Sequence, residues 1–462
     1  MAEGDHHPQD IRHYLATRRA EAPEDVLTVE SEISDDQDAT ALIWALAAEG
    51  RAPLLHLPRV AGLGGVEVVT NIFGSRARIA AMLGASPADL HAAYQTRARA
   101  AAAPRDVAEG GVTEVVQEGG VDLSALPMLR HFASDRAKYI TSGVIVAEIR
   151  GGEAGNLSYH RAMIDSADTL ATSLHSRGHL WRLLNMAAER GEALPVAMVI
   201  GAHPLFMIAA SARLAFGADE RSVAGGLLGA PLEVVRTPRY GIRVPAHAEY
   251  VLEGVITPGL HAEEGPFGEF TGYSSDRSTN NLLRVETLMH RRDPMLVSIA
   301  GGNSAEHLNL GRVPREAEMV EKLKERFPSV TAVHYPASGT HFHAYVAVRQ
   351  MRPGEARQVM LGLLGWDPYL KTVIAVDADV DITRDENVLW ALATHFQPHQ
   401  DVIIVEGLPG NALDPSASGI GATSRMGLDA TRGPGFEAVL AQISDAAKAR
   451  AAAILARGGE GG

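Results

Sequence analysis

The sequence predicts a three-part chain: an α/β region at each end and, between them, a β-rich, barrel-like region with inserted helices. Three observations lead there. At 462 residues the chain is longer than one ordinary core fills. Between about residues 112 and 300, short apolar stretches are punctuated by Gly and Pro, the spacing of short strands. On either side, stretches of helical period alternate with short extended ones.

In the first region, residues 37–48 place Ala41, Ile43, Trp44 and Ala47 at roughly helical spacing, and 53–57 suit a short strand. Residues 76–83 and 87–101 are further helices. The second ends in an Ala/Arg run before Pro104 and Gly110-Gly111, which sets a boundary near 105 and a first domain of 1–105. The second domain, 106–311, has extended stretches at 144–149, 196–200, 233–235, 250–256 and 282–288, with a helix at 180–188. The third, 312–462, alternates helices (314–326, 355–364, 385–394 and a long terminal one at 436–456) with strands at 330–335, 344–348, 373–376 and 402–405. No internal repeat is present.

Composition excludes several classes. Hydrophobic residues make up 46 %, enough for burial, yet no apolar run reaches transmembrane length. The polar start, with His6 and His7, has no signal-peptide core behind it, so the cytoplasm is expected and no membrane partner. Cysteine is absent, which removes disulfides, thiolate chemistry and the commonest structural zinc ligands. A net charge of −14 gives a nucleic-acid partner no support from the chain as a whole.

The sharpest chemical segment is Glu263-Glu264-Gly265-Pro266-Phe267-Gly268-Glu269-Phe270-Thr271-Gly272-Tyr273. Its glycines and proline force a defined turn. A carboxylate held there can approach a second one, which raises its pKa enough to deliver a proton near neutral pH. An exposed acidic turn without chemistry is the competing reading. In Asn156-Leu157-Ser158-Tyr159-His160-Arg161, amide and hydroxyl oxygens suit a hard cation or a phosphate, and the guanidinium suits a carboxylate. Strand alternation would put Asn156 and Arg161 on opposite faces, so a joint role needs a bulge or a strand that ends between them.

His179, after Ser176-Arg177-Gly178, opens a helix whose Leu180, Leu183 and Leu184 face a core, and a helix start favours a phosphate. Glu233, in Gly229-Ala230-Pro231-Leu232-Glu233, is unremarkable by itself. His341 and His343 would share one strand face, and His395 and His399 form another pair. Neither pair is completed at a diagnostic metal spacing. No H-E-x-x-H, Walker loop or strand-to-helix G-x-G-x-x-G is present.

Taken in order, these segments resemble the UbiD family of reversible decarboxylases, which use prenylated FMN, over nearly the whole chain. The landmarks are Asn156-x-Ser-x-x-Arg161, His179, Gly229-Ala-Pro-Leu-Glu233, the run 244–254, Glu264-Gly-Pro-Phe-Gly-Glu269, the run 306–316, residues 371–381 and Gly427-Leu-Asp-Ala-Thr431. The resemblance implies an N-terminal α/β domain, a central split β-barrel that binds flavin and metal, and a C-terminal α/β dimerisation domain.

It further implies a divalent cation, usually Mn2+, on Asn156, His179 and Glu233, with K+ beside it and carbonyls around Ser222 to Gly226 as candidate K+ donors. Asn156, Ser158, Arg161, His179, Glu233 and Lys371 would form the cofactor site, Lys371 near the phosphate. Arg161 would position the substrate carboxylate and pair with Glu264, and Glu269 would protonate the carbon that CO2 leaves. The cofactor would act as the electron sink. His307, Asn309, Leu310, His341 and His343 are candidates for the substrate pocket. Implied partners are an aromatic, heteroaromatic or α,β-unsaturated carboxylic acid, a flavin prenyltransferase as cofactor supplier, and a second copy of the chain in a homodimer or higher homo-oligomer. The alternatives are an FMN-binding reductase on a split barrel, which needs no such proton donor, and a non-catalytic subunit of a multi-subunit carboxylase, which would have lost site residues that are present here.

Overall fold

The structure is a computed structural model that describes residues 6–148, 155–174, 178–275, 278–349, 352–417, 422–433 and 435–458. Ser176 and Arg177 lie outside the described residues. At the N-terminal end, the strands Val26–Thr28, Leu54–Leu57 and Val68–Thr70 form a four-stranded sheet with Leu296–Val297. That last strand pairs parallel to Val68–Thr70, so the end of the central region completes the first sheet. The helix Asp38–Ala48 lies where its spacing predicts. The helix Ile11–Glu21 escapes pattern reading because its buried positions, Ile11, Tyr14 and Leu15, are few and cover only its first turns. Asp10 caps it by accepting from Arg12 N at 2.7 Å.

The central region is an eight-stranded, antiparallel sheet. Its longest strands, Tyr250–Glu264 and Ser278–His290, run well beyond the apolar stretches that announce them. Where they cross, Gly254 is required: a Cβ there would lie 1.9 Å from Arg284 O. The strand order begins with Ala162–Ile164 and ends with Gly155–Tyr159, which are separated by only two residues. The sheet must therefore curl until its ends meet. Residues 140–143 bridge the seam: Ile140 N donates to Ala162 O at 2.8 Å and His160 N to Gly143 O at 3.0 Å. Arg161 sits at this seam, where one strand has ended and the next has not begun. This is the interruption that a joint role with Asn156 requires.

The C-terminal region carries a five-stranded mixed sheet in the order Val330–His334, His343–Val348, Thr372–Asp377, Ala422–Ala430, Val402–Pro409. Two expectations need correction. The helix expected from residue 314 is Ala305–Arg326, with Pro314 inside it and Ser304 as its cap. A proline reads as a helix start, but here an earlier Ser cap and the buried contacts of Leu308 and Leu310 outweigh its cost. The terminal helix spans only Asp445–Gly458. Residues 436–444 include Val439, 91 % exposed, and beyond Phe436 on His395 they leave their apolar side chains largely uncovered among the described residues, whereas the Ala-rich remainder has the highest intrinsic propensity.

Candidate active site

The long strand Tyr250–Glu264 delivers Glu264 to the seam, and the turn that follows returns Glu269 to the same place. Arg161 meets both. Its Nε donates to Glu264 Oε1 at 2.6 Å and its Nη2 to Glu264 Oε2 at 3.1 Å, while Nη1 donates to Glu269 Oε1. Glu264 is fully buried and Glu269 6 % exposed. Burial works against the Arg161 charge, but the Glu269 and Glu264 carboxylates more than offset it and hold the guanidinium charged. Its plane lies 4.5 Å from the centre of the Phe267 ring.

The turn is fixed from several sides. Gly265 has φ +81° and the Gly265–Pro266 peptide is cis. Phe267–Gly268 pairs with Ser274–Ser275, and Glu269 N donates to Tyr273 O at 2.9 Å. Asp135 accepts from Gly268 N at 2.8 Å with one oxygen, and from Phe132 N at 3.0 Å with the other. Gly268 packs its backbone on Phe132, where a Cβ would lie 2.3 Å from the ring. Asp135 and Phe132 carry no motif, so the sequence gives no sign that they hold the turn that bears Glu269.

Asn156 and Ser158 lie on the strand Gly155–Tyr159, where Asn156 Nδ2 donates to Ser158 Oγ at 3.1 Å. Ser158 Oγ in turn lies 2.9 Å from His160 Nε2. Two helices, His179–Glu189 and Glu220–Leu228, pack on that strand, and each bears its candidate ligand at its first residue. His179 is kept neutral chiefly by burial, with the nearby Arg182 acting in the same direction. Glu220 accepts from Leu157 N at 3.1 Å, next to Asn156, and burial pushes its pKa up to about 7. The adjacent Arg221 does not neutralise it, because its guanidinium is spent on Asp219 and Glu148.

The structure thus brings Glu220, and not Glu233, against the Asn156 strand. Glu233 opens a strand whose first residue is paired with Arg105, and its carboxylate is committed to Arg105, to His247 Nε2 at 2.9 Å and to His7 Nε2 at 3.5 Å. The available sequence signal was Asp219-Glu220 ahead of an apolar and Gly run, a helix cap followed by an acidic first residue. Ser222 to Gly226 are taken up in that helix and its packing on residues 97–102, with Ser222 O accepting from Ala102 N at 2.9 Å. The donor set of Asn156, His179 and Glu220 fits a divalent cation: an amide, a neutral imidazole and a buried carboxylate without an ion pair among the described residues. The two helix starts suit a phosphate beside it.

Among the other candidates, His307 is half-buried, with Nδ1 3.2 Å from Gly302 O. Burial lowers its pKa, and the Glu269 charge opposes that shift, which places its imidazole in the field of the Arg161 cluster. Asn309 is buried and donates to Phe73 O at 2.9 Å, and Leu310 is part of the core. His341 and His343 do not share a strand face: the strand begins only at His343, and His341 lies before it, buried against Phe270. Lys371 Nζ is paired with Asp414 Oδ2 and Ser416 Oγ, both at 2.7 Å, so reaching a phosphate would mean exchanging that pair. His395, 3.2 Å from Ala430 O, and His399, beside Gln400, have separate partners. Two surface clefts of about 360 and 540 Å³ lie away from all these groups; the site is defined by converging side chains.

Family models for the 3-octaprenyl-4-hydroxybenzoate carboxy-lyase N-terminal, Rift-related and C-terminal domains match residues 18–98, 105–304 and 308–430. The chain belongs to the UbiD family. As a UbiD carboxy-lyase it is similar to decarboxylases throughout its length. Anhydromevalonate phosphate decarboxylase of Aeropyrum pernix is 37 % identical over 68 % of this chain and 71 % of its own. The protein of the same name from Methanothermobacter thermautotrophicus is 32 % identical over 88 % and 94 %. Among solved structures, the UbiD-class enzyme HmfF from Pelotomaculum thermopropionicum in complex with FMN has a TM-score of 0.87 at 32 % identity, over 94 % of this chain and 97 % of that one. An evolved dimeric form of HmfF, in complex with prFMN, has a TM-score of 0.84 at 30 % identity, over 95 % and 99 %. No helix among the described residues is long and apolar enough to cross a membrane.

Proposed function

We propose that this UbiD-family chain is a reversible, non-oxidative decarboxylase of an aromatic, heteroaromatic or α,β-unsaturated acid that works with prenylated FMN. The observation that carries the reading is one guanidinium, Arg161, shared by two buried carboxylates, Glu264 and Glu269. Bringing a substrate carboxylate to Arg161 places a third negative charge on one cation. A proton on one carboxylate relieves that excess. Glu264 holds Arg161 through both its oxygens, whereas Glu269 binds through one and lies on a turn. Glu269 is thus the group that carries the proton and gives it to the carbon vacated by CO2, then regains one from solvent. In the carboxylation direction the same carboxylate removes it. Prenylated FMN, when bound, supplies the electron sink.

Asn156, His179 and Glu220 would hold the divalent cation, Mn2+ by the chemistry of its donors, with Ser158 and the two helix starts toward the cofactor phosphate, Lys371 as a further phosphate partner and K+ beside them. The relatives named for anhydromevalonate phosphate support an acid that bears a phosphate as one candidate within the unsaturated class. The exposed Val439, Leu440, Ile443, Ile454 and Leu455 support a second copy as the surface that covers the C-terminal segment. The test is CO2 release from a panel of aromatic and acrylic acids, after co-expression with a flavin prenyltransferase and purification with manganese and potassium. Release from at least one acid is expected. No release from any acid by protein that holds prenylated FMN would refute the reading.

A further inference from the structure

Beyond His307, the helix Ala305–Arg326 carries a group of buried cations that the reaction above does not use. Arg312 is 2 % and Arg315 7 % exposed, and their charges, with that of the more exposed Arg213, all act on His341. Their hydrogen bonding is incomplete. Arg315 Nε and Nη1, Arg312 Nε and His341 Nδ1 are buried without a hydrogen-bond partner among the described residues. Arg315 Nε lies 3.5 Å from Asp367 Oδ2 and Arg213 Nη1 3.8 Å from Asp367 Oδ1, distances of ion pairs. Asp367 also takes Tyr335 OH at 2.7 Å and Tyr369 N at 3.0 Å. The two buried carboxylates of this helix are committed elsewhere, Glu306 to Thr70, Ile72 N and Ala300 N, and Glu316 to Arg76, His91 and Tyr335 N.

Asp367 is thus the carboxylate at ion-pair distance from Arg213 and Arg315, and among the described residues none lies that close to Arg312. Burial, with repulsion from Arg76 and Arg315 against attraction from Glu316, pushes Arg312 down to about 10, and burial with Arg315 also lowers Arg213, whereas at Arg315 the Asp367 charge helps to outweigh burial and raises it. Buried, unpaired donors on cations are costly, and proteins keep them where something else supplies the acceptor.

Their position says what that is. Phe270 follows Glu269 in the chain, and its ring lies 4.9 Å from His341 and 6.1 Å from Tyr369. The Arg315 guanidinium lies 5.0 Å from the Tyr369 ring. His307, Gly311 and Arg315 are spaced i, i+4, i+8 and so share one helix face. Gly311 leaves that face open toward His341, whose ring is 3.5 Å from where a Cβ would be. From the proton donor, a continuous line of aromatic and imidazole rings leads to the unpaired guanidinium donors.

We propose that Arg315, with Arg213, Arg312 and His341, forms a subsite for a second anionic group on the substrate, at the end remote from the carboxyl lost as CO2. The group is a phosphate or a second carboxylate, because either supplies planar or tripodal oxygens to a guanidinium fork. The inference rests on the decarboxylase reading for its location, but it is tested by binding alone. Calorimetry on the reconstituted holoenzyme compares saturated, unreactive acids: 5-phosphooxypentanoate, hexanedioate and pentanoate. At least one of the two acids that bear a second anionic group should bind 30-fold or more tightly than pentanoate; which one does identifies the group.

Arg315→Met should erase that preference while pentanoate binding stays the same. Arg213→Met, at a half-exposed position that puts folding at less risk, should reduce it in the same direction. Equal binding of all three acids to the wild type, or a preference untouched by both substitutions, would overturn the subsite. Because the acids are not turned over, that failure is distinct from an absence of CO2 release, which would strike at the decarboxylase reading instead.

Discussion

Replacing Glu269 by Gln removes one ionisable proton and changes little else. The amide oxygen can still accept from Arg161 Nη1, and the bidentate pair of Arg161 with Glu264 is untouched, with its 2.6 and 3.1 Å bonds. Stability should therefore change by no more than about 1 kcal/mol, the usual range for a retained hydrogen bond that loses charge assistance. Activity should change far more. A positioned general acid contributes roughly 10²- to 10⁴-fold, which is about 3 to 5 kcal/mol of transition-state stabilisation. The assay is single-turnover CO2 release by holoenzyme, with bound flavin and manganese measured on the same sample. Loss of turnover at wild-type cofactor and metal content supports the proton-donor role. Turnover within tenfold of wild type would refute it, because Glu264, the other carboxylate at Arg161, is held through both its oxygens.

Three further outcomes follow from other parts of the structure. Glu220→Gln should lower manganese content at least tenfold by elemental analysis, while Glu233→Gln leaves it unchanged; the reverse pattern would restore the ligand first expected. Gly268→Ala drives a methyl into the Phe132 ring, where the Cβ would be 2.3 Å away. A displacement near 1 Å should cost about 100-fold in kcat with the protein still folded by circular dichroism. His131 is buried, with Nδ1 2.8 Å from Thr40 Oγ1, and burial pushes its pKa down to about 4. Its contribution is complete above the unfolded value near 6.5 and is lost as pH falls toward 4, about 3 kcal/mol in all. Urea midpoints should fall over that window in wild type and fall less in His131→Gln.

The fold was legible because glycine and proline punctuate the central strands and because alternation at both ends is regular. A turn built from Gly265, Pro266, Gly268 and Gly272 declares that its carboxylates, Glu264 and Glu269, are held, whereas the role of Arg161 came from the family resemblance alone. What stayed hidden was set by long-range packing. Glu220 and Glu233 each adjoin a Gly-bearing segment, and only the docking of the Glu220–Leu228 helix on the Asn156 strand separates them. Asp135 holds the turn from 133 residues away in sequence through its bond to Gly268 N. The charges of Arg312 and Arg315 read as an ordinary polar helix face until burial leaves their donors unpaired. The non-helical 436–444 segment depends on what covers it, which local propensity does not encode.

The most direct test of the central claim is the mass and absorbance spectrum of the cofactor released from protein co-expressed with a flavin prenyltransferase, with manganese and potassium present. The account predicts prenylated FMN in near-stoichiometric amount. Folded, manganese-loaded protein that carries no flavin under those conditions would contradict it.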